Sequence, residues 1–298
     1  MKSTVDSTGT IALQRSRILD YITLMKPELT LLSVATALAS SYMAAIGEVP
    51  IATMLHVFVG TILVGGGAGA LNQYLERDYD GLMRRTENRP LPAGRLDRGE
   101  VLLFGAGLTT LGVIYLAIST NVLTVFLAIL TFTSYLFLYT PLKRITPYAT
   151  VVGGIPGALP PLMGWTAVRN DLSADAWILF AILFMWQMPH FYSLAWMYRK
   201  DYARAGYPML TVIDPGGKRT GRQIVLYCST LIPVSLLLSL SGMTGLVYGA
   251  AALMLGTVFL LCAIHLHHAR SNALARRVFV ASLLYLPALF IIMTIDKL

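Results

Sequence analysis

The residues of this chain whose types and spacing suit chemistry are concentrated in one stretch, NQYLERDYDGLMRRTENRPLP, residues 72–92. Asn72, Glu76 and Asp80 follow one another at four-residue steps, so a helix would place all three on one face. Two carboxylates and an amide oxygen form a hard oxygen site, which suits Mg²⁺ bound together with a substrate phosphate. Asp78 points away from that face and is the weaker candidate. The alternative is a solvated helix end whose acids pair only with neighbouring arginines.

Cations accompany these acids along the chain. Arg84, Arg85 and Arg89 follow within the next turns, and Lys143 and Arg144 follow a later apolar segment. Guanidinium groups bind phosphate through paired hydrogen bonds. Acids, a metal ion and basic side chains together predict a site for a diphosphate.

A second polar stretch, WQMPHFYSLAWMYRKDYARAGYPML, covers residues 186–210. Pro189 predicts a helix kink that frees a backbone carbonyl, and His190 follows it directly. Three roles are open for His190: porphyrin-iron ligand, proton donor or structural hydrogen-bonding group. Lys200 and Asp201 lie where this helix is expected to leave the apolar region.

The composition indicates which elements must position these groups. The chain has 298 residues, of which 56% are hydrophobic and only 13% are charged, against roughly 25% charged in an ordinary soluble domain. Cys228 and Cys262 lie inside apolar runs and are read as small hydrophobic residues. The sequence therefore excludes a disordered chain, a disulfide scaffold and a soluble enzyme. It predicts an all-α, polytopic membrane protein.

Nine apolar segments follow a polar N-terminal segment, residues 1–26, and form one predicted domain, residues 27–298. Each segment is long enough to cross a hydrocarbon layer of ~30 Å as a helix. The segments lie near residues 28–47, 51–75, 101–119, 121–140, 147–168, 174–198, 223–242, 245–266 and 277–295.

The distribution of basic residues predicts the orientation of these segments. If the spans alternate in direction, all 23 Lys and Arg residues except Arg169 and Lys297 fall on one side. This bias predicts a cytoplasmic N-terminus and, with nine spans, a C-terminus on the outside. The net charge of +8 is accordingly assigned to loops that face anionic lipid, and no nucleic-acid partner is expected.

Asp, Glu, Lys and Arg are all absent from the middle of the apolar segments, where a carrier usually has an ionisable group. The polar chemistry is instead gathered at one face of the membrane. This arrangement suits a substrate with a charged head at the surface and a long apolar tail in the bilayer. A membrane transporter without catalysis is kept as an alternative.

Together these stretches resemble the intramembrane prenyltransferase superfamily typified by 4-hydroxybenzoate polyprenyltransferase, over nearly the whole chain from about Lys26. Its first motif falls on Asn72, Glu76 and Asp80, with Glu76 where the family usually has Asp. Only Asp201 matches its second acidic motif. That feature, with the patterns QxPHF and DYxxAGxPML, is similar to the haem-prenylating branch of the superfamily.

The resemblance implies a nine-helix bundle around a lipid-open central cavity in a bacterial cytoplasmic membrane. It implies transfer of a farnesyl group from farnesyl diphosphate to a vinyl group of haem b, with addition of water and with Mg²⁺ as the cofactor. An aromatic acceptor of a quinone or chlorophyll pathway is the alternative. Association with other proteins of haem synthesis or oxidase assembly is a further expectation.

The resemblance also implies roles for particular side chains. The implied catalytic residues are Asn72, Glu76, Asp80, Asp201 and Lys200, all but Lys200 also being metal ligands. The implied substrate-binding residues are Arg84, Arg85, Arg89, Lys143, Arg144 and His190.

Overall fold

The computed structural model describes residues 17–298, so residues 1–16 of the predicted N-terminal segment lie outside the described residues. Eight of the described helices are long and apolar enough to cross a membrane, and a ninth span results if one bent helix pair counts as a single span. The prediction of an all-α, polytopic membrane protein is confirmed.

The helices begin and end close to the predicted apolar segments. They are α1 (Arg17–Leu24), α2 (Pro27–Ala44), α3 (Ile51–Asp80), α4 (Arg98–Ser119), α5 (Val122–Leu142), α6 (Ala149–Arg169), α7 (Ala174–Met197), α8 (Arg199–Arg204), α9 (Leu210–Ile213), α10 (Lys218–Leu240), α11 (Leu246–Ala269) and α12 (Asn272–Ile295). The bent pair is α1 and α2, which meet at 51°.

Polar residues next to the apolar runs fix where several helices start. Asp97 caps α4 through a capping box with Glu100. The Asn121 side chain accepts a hydrogen bond from the Thr124 amide at the start of α5, at 2.9 Å. These caps satisfy backbone donors that the first helical turn leaves free. The local sequence therefore fixes where α4 and α5 start.

Close packing joins the spans into one bundle. Helices α2, α6, α7 and α12 form a closed ring, because each packs against the next and α12 packs against α2. The contact between α2 and α6 depends on Gly164, where a Cβ atom would lie 1.9 Å from the Ala37 carbonyl oxygen. Small residues allow such close approach of helix backbones in membranes.

The two ends of the bundle differ in charge. Among the described Lys and Arg residues, all except Arg169 and Lys297 lie at one end, which we call the basic end. This end holds the C-terminus of α3 and the loops that follow α3, α5 and α7. At the opposite end, Lys297 Nζ donates to the backbone oxygens of Tyr42 and Ala45, at 2.7 Å each. The basic end therefore carries the polar groups singled out in the sequence.

Candidate active site

The last turns of α3 carry three buried polar side chains at the basic end. Asn72, Glu76 and Asp80 are exposed by only 1%, 2% and 1%. Because a four-residue step advances only about 40° around a helix, the three side chains follow one another down one inward face. The face is therefore turned away from both lipid and solvent.

Each of these side chains contacts a cation from a different part of the chain. The pairs are Lys26 with Asn72, Lys143 with Glu76, and Arg89 with Asp80. The Lys143 Nζ–Glu76 Oε1 distance is 2.8 Å, and the Arg89 Nη1–Asp80 Oδ2 distance is 2.7 Å. Three basic side chains face two carboxylates, and this arrangement suits an anionic ligand.

Arg77 and Arg84 are not the partners of these acids. Arg77 lies 3.6 Å from the exposed Asp78, and Arg84 is exposed without an ion pair among the described side chains. Glu76 and Asp80 therefore pair with buried or half-buried cations, and they do not form part of a solvated helix end.

A π-helical turn in α5 places aromatic rings against the same site. The turn spans Ser134–Tyr139, and the rings of Tyr135 and Tyr139 stack at 5.7 Å and 23°. The Tyr135 hydroxyl accepts a hydrogen bond from Lys26 Nζ at 3.2 Å. π-helical turns insert one extra residue and are frequent at functional sites. This turn brings two aromatic faces beside the charged cluster.

Lys143 occupies the middle of the cluster, just beyond the end of α5. Its ammonium lies 5.0 Å from the centre of the Tyr207 ring and 5.8 Å from that of Tyr139. Burial is the largest single influence on the pKa of Lys143 and lowers it, but Glu76 and the neighbouring tyrosines together outweigh burial and hold that pKa well above its usual value. Burial has the opposite effect on a tyrosine and raises the pKa of the Tyr207 hydroxyl. Lys143 is therefore a permanent cation, and Tyr207 a neutral hydroxyl.

The oxygen atoms of this cluster fit a divalent cation. Asp80 Oδ1 is buried and has no hydrogen-bond partner within residues 17–298, and an unmatched buried carboxylate oxygen is a costly feature that a metal ion would satisfy. In the same part of the chain, no three His, Cys, Asp or Glu side chains converge on one point. Two carboxylates with substrate phosphate are the usual protein ligation of Mg²⁺. The donors available for it are Glu76, Asp80 and Asn72.

The second polar stretch does not add a third carboxylate to this group. Asp201 on α8 is buried but lies 3.4 Å from Arg204, and Lys200 is exposed. The stretch contributes aromatic groups instead: the Tyr202 ring packs on Tyr207 at 6.1 Å. Metal ligation by Asp201 and catalysis by Lys200 therefore stay predictions.

Two of the predicted phosphate-binding arginines are held against aromatic rings. Arg85 donates to the Tyr202 hydroxyl at 2.9 Å and lies 4.9 Å from that ring centre. Arg144 lies 4.2 Å from the Tyr79 ring centre and donates to the Leu75 carbonyl at 2.7 Å. These contacts hold both guanidinium groups at the basic end, near the end of α3.

His190 lies apart from these groups, on the face of α7 that packs against α12. Its Nδ1 atom is 2.8 Å from Ser282 Oγ, and its ring stacks on Trp186 at 5.1 Å. It makes no hydrogen bond or ion pair with the acids of α3 within the described part of the chain. The structure therefore places His190 in a separate position within the bundle.

Several residues of the site were missed by sequence reasoning. Lys26, which the sequence indicated only as a loop charge, contacts Asn72. Thr140 accepts a hydrogen bond from Asn72 Nδ2 at 2.9 Å, and Tyr135 and Tyr207 border the cluster. A lone lysine directly before Pro27 and a long apolar run was the available signal for Lys26. The other three residues gave no signal, because Thr and Tyr are common in such segments.

Comparison with known proteins decides the family. The sequence pattern of the UbiA prenyltransferase family matches residues 33–290. This chain belongs to that family. It is 45% identical to the protoheme IX farnesyltransferase of Solibacter usitatus, over 93% of this chain and 98% of that protein. The predicted resemblance is thereby confirmed over almost the whole length.

Solved structures share the UbiA fold. A structure of digeranylgeranylglyceryl phosphate synthase in membranes covers 94% of this chain and 98% of its own, with a TM-score of 0.78 and 16% identity. A UbiA homologue from Archaeoglobus fulgidus, bound to DMAPP and Mg²⁺, covers 93% of this chain and 99% of its own, with a TM-score of 0.67 and 12% identity. The bundle described above is therefore that of a UbiA prenyltransferase.

Proposed function

We propose that this UbiA prenyltransferase transfers the farnesyl group of farnesyl diphosphate to a vinyl group of haem b, with addition of water, to give haem O for terminal oxidases. The acceptor rests on one observation: the chain is 45% identical to a protoheme IX farnesyltransferase over 98% of that protein. The geometry of the basic end supports the donor, because three buried or half-buried basic side chains there face the two buried carboxylates of α3.

The diphosphate head is expected among the charged groups of α3 and the cations that surround them. Lys26, Lys143 and Arg89 each supply N–H donors and positive charge to phosphate oxygens. Glu76 and Asp80 hold these cations in place. Mg²⁺, when bound through oxygens of Asn72, Glu76 and Asp80, would supply further positive charge to the leaving diphosphate.

Stabilisation of the negative charge on the leaving diphosphate supplies the largest part of the rate acceleration in this proposal. Departure of diphosphate breaks the bond between farnesyl C1 and its oxygen and leaves an allylic cation, which the ring faces of Tyr135 and Tyr139 would stabilise. The vinyl electron pair of haem then forms the new carbon–carbon bond. Water adds to the resulting cation on the neighbouring carbon, and one proton is released.

The product identifies the acceptor. Membranes that contain this protein are expected to convert haem b and farnesyl diphosphate to haem O. Mass spectrometry of the extracted haems measures the amount of haem O, and membranes without the protein are the control. Absence of haem O would overturn the haem assignment. A prenylated aromatic compound of the quinone or chlorophyll pathway would instead support the alternative acceptor.

Farnesyl transfer is expected to depend on Mg²⁺. Removal of divalent cations with a chelator should reduce the rate by roughly 10²-fold or more, because the diphosphate would then lose part of its charge compensation. Restoring Mg²⁺ in excess of the chelator should restore the rate. Unchanged turnover in excess chelator would contradict the metal site at Asn72, Glu76 and Asp80.

The protein is a multi-pass membrane protein, and we propose that its basic end faces the cytoplasm of a bacterial cell across the cytoplasmic membrane. This orientation follows from the concentration of Lys and Arg at one end. It places the N-terminus inside and Leu298 outside. A reporter enzyme that is active only after export should be active when fused after Leu298, whereas activity of a cytoplasm-only reporter there would contradict the span count.

Association with other proteins of haem synthesis or oxidase assembly is part of the same proposal, since haem is poorly soluble in water and must be passed on. Co-purification of such proteins with this chain from native membranes is the measurement. Recovery of this chain alone from gently solubilised membranes would count against it.

A further inference from the structure

His190 faces the interior of the ring formed by α2, α6, α7 and α12. Gln187 Nε2 donates to the Gly154 carbonyl of α6 at 2.7 Å, and Trp186 Nε1 donates to the Ser282 carbonyl of α12 at 2.8 Å. At 3.6 residues per turn, His190 lies about 60° from Gln187 and about 40° from Trp186, between these two directions. It therefore points between α6 and α12, into the ring that α2 closes.

Neighbouring rings and one hydroxyl fix the orientation of the imidazole. The ring lies 5.1 Å from that of Trp186 and 4.8 Å from that of Phe279. Ser282 Oγ donates its proton to the Phe279 carbonyl oxygen and lies 2.8 Å from His190 Nδ1. Because the single hydroxyl proton is already used, Ser282 accepts a hydrogen bond from His190, which assigns the proton to Nδ1.

The other ring nitrogen is consequently an available electron-pair donor. Nε2 of His190 has no hydrogen-bond partner among the described residues and is not among their fully buried unpartnered atoms, so it is accessible to a ligand. A histidine that ligates a metal typically donates its second N–H to a protein acceptor, which fixes the tautomer and the direction of the lone pair. His190 has this arrangement.

Arg276 is a cation on α12, about one turn nearer the basic end than Phe279. Arg276 precedes Phe279 by three residues, which places both on one face of α12, about 4.5 Å apart along its axis. Arg276 is exposed and forms no ion pair within residues 17–298. Haem carries two propionates on one edge, so a cation on the helix that packs against the imidazole matches its chemistry.

The depth of His190 also matches that of the donor site. His190 precedes the end of α7 by seven residues, or about 10 Å, and Asn72 precedes the end of α3 by eight residues, or about 12 Å. Both helices end at the basic end. A porphyrin bound at His190 would therefore lie at the level of the buried face of α3.

We propose that His190 Nε2 is an axial ligand of the haem iron of the acceptor, and that Arg276 binds a propionate of the same haem. This inference rests on the proposed function, since it assigns the docking position of the acceptor. Iron ligation would then fix the position of the porphyrin relative to α7 and would leave its vinyl groups free to react.

The test compares iron porphyrin with metal-free porphyrin on the full-length protein in lipid nanodiscs. The wild-type protein with ferrous haem b is expected to show an iron–histidine stretching band in resonance Raman spectra. His190→Ala should lose this band and bind haem b about tenfold or more weakly, on the scale seen when metal sites lose a supporting group. Added imidazole should restore the band. Binding of metal-free protoporphyrin IX should be the same in both proteins.

His56→Ala is the matched control, because His56 lies on α3 near the opposite end of the bundle, 2.9 Å from the Tyr115 hydroxyl. It should retain the iron–histidine band. A band that persists in His190→Ala would overturn the proposal, as would equal weakening of haem b and metal-free porphyrin, which indicates packing alone. If the wild-type protein makes no haem O, the proposed function fails; if it makes haem O but the band is insensitive to His190, only this inference fails.

Discussion

Replacement of Asp80 by Asn is expected to abolish farnesyl transfer while the protein still inserts and folds. The substitution keeps the shape of the side chain but removes the charge of a residue that is 1% exposed. Asp80 Oδ1 has no protein partner among the described residues, and it is the oxygen most available to a metal ion. Loss of one preorganised charge-stabilising group typically lowers a rate by about 10²–10³-fold, or about 3–4 kcal/mol.

Farnesyl transfer to haem b, followed by mass spectrometry of the products, measures this effect. Asp78→Asn is the matched control, because it makes the same charge change two residues away on a side chain that is 67% exposed. Asp78→Asn should retain activity. Full activity in Asp80→Asn would remove the metal-site hypothesis, and equal loss in both variants would point to a general effect of charge at the end of α3.

Replacement of Lys143 by Met is expected to lower the free energy of unfolding by about 3–5 kcal/mol, because it leaves the charge of Glu76 buried without a partner. The side chains of Lys143 and Glu76 are 9% and 3% exposed, and they are 2.8 Å apart. Activity should fall as well, since Lys143 is one of the cations assigned to the diphosphate. Thermal unfolding in detergent and the farnesyl-transfer rate are the two measurements.

The double variant Glu76→Gln with Lys143→Met separates these two effects. It removes both charges of the pair, so most of the lost stability should return, whereas activity should remain low because both groups act on the substrate. Lys218→Met, at an exposed position, should leave stability unchanged. If Lys143→Met is as stable as the wild-type protein, the buried ion pair described here does not hold.

Helix geometry made part of the site predictable from the sequence. The steps between Asn72, Glu76 and Asp80 place them on one face of any helix, because that relation is local. The length of the apolar run before these residues also predicts how far they lie from the bilayer centre. The predicted common face therefore coincides with the buried face observed at the end of α3.

The partners of these residues depend on the tertiary fold. Lys26 is 46 residues from Asn72 along the chain, and Lys143 is 67 residues from Glu76. The sequence around Lys26 gave it only a loop charge, and nothing in the sequence marked Tyr207 as a neighbour of Lys143. Such contacts are set by which helices pack together, and hydropathy does not encode that choice.

The amino-acid sequence by itself determined the membrane class, the spans, the charge difference between the two ends and the common face of Asn72, Glu76 and Asp80, because each of these depends on residues close together in the chain. Tertiary structure decided which cation neutralises which acid, that Asp201 joins no three-carboxylate group within residues 17–298, and that His190 lies inside a ring of four helices. Those outcomes depend on close packing between distant segments, where contacts such as that of Gly164 with Ala37 set the distance between helices.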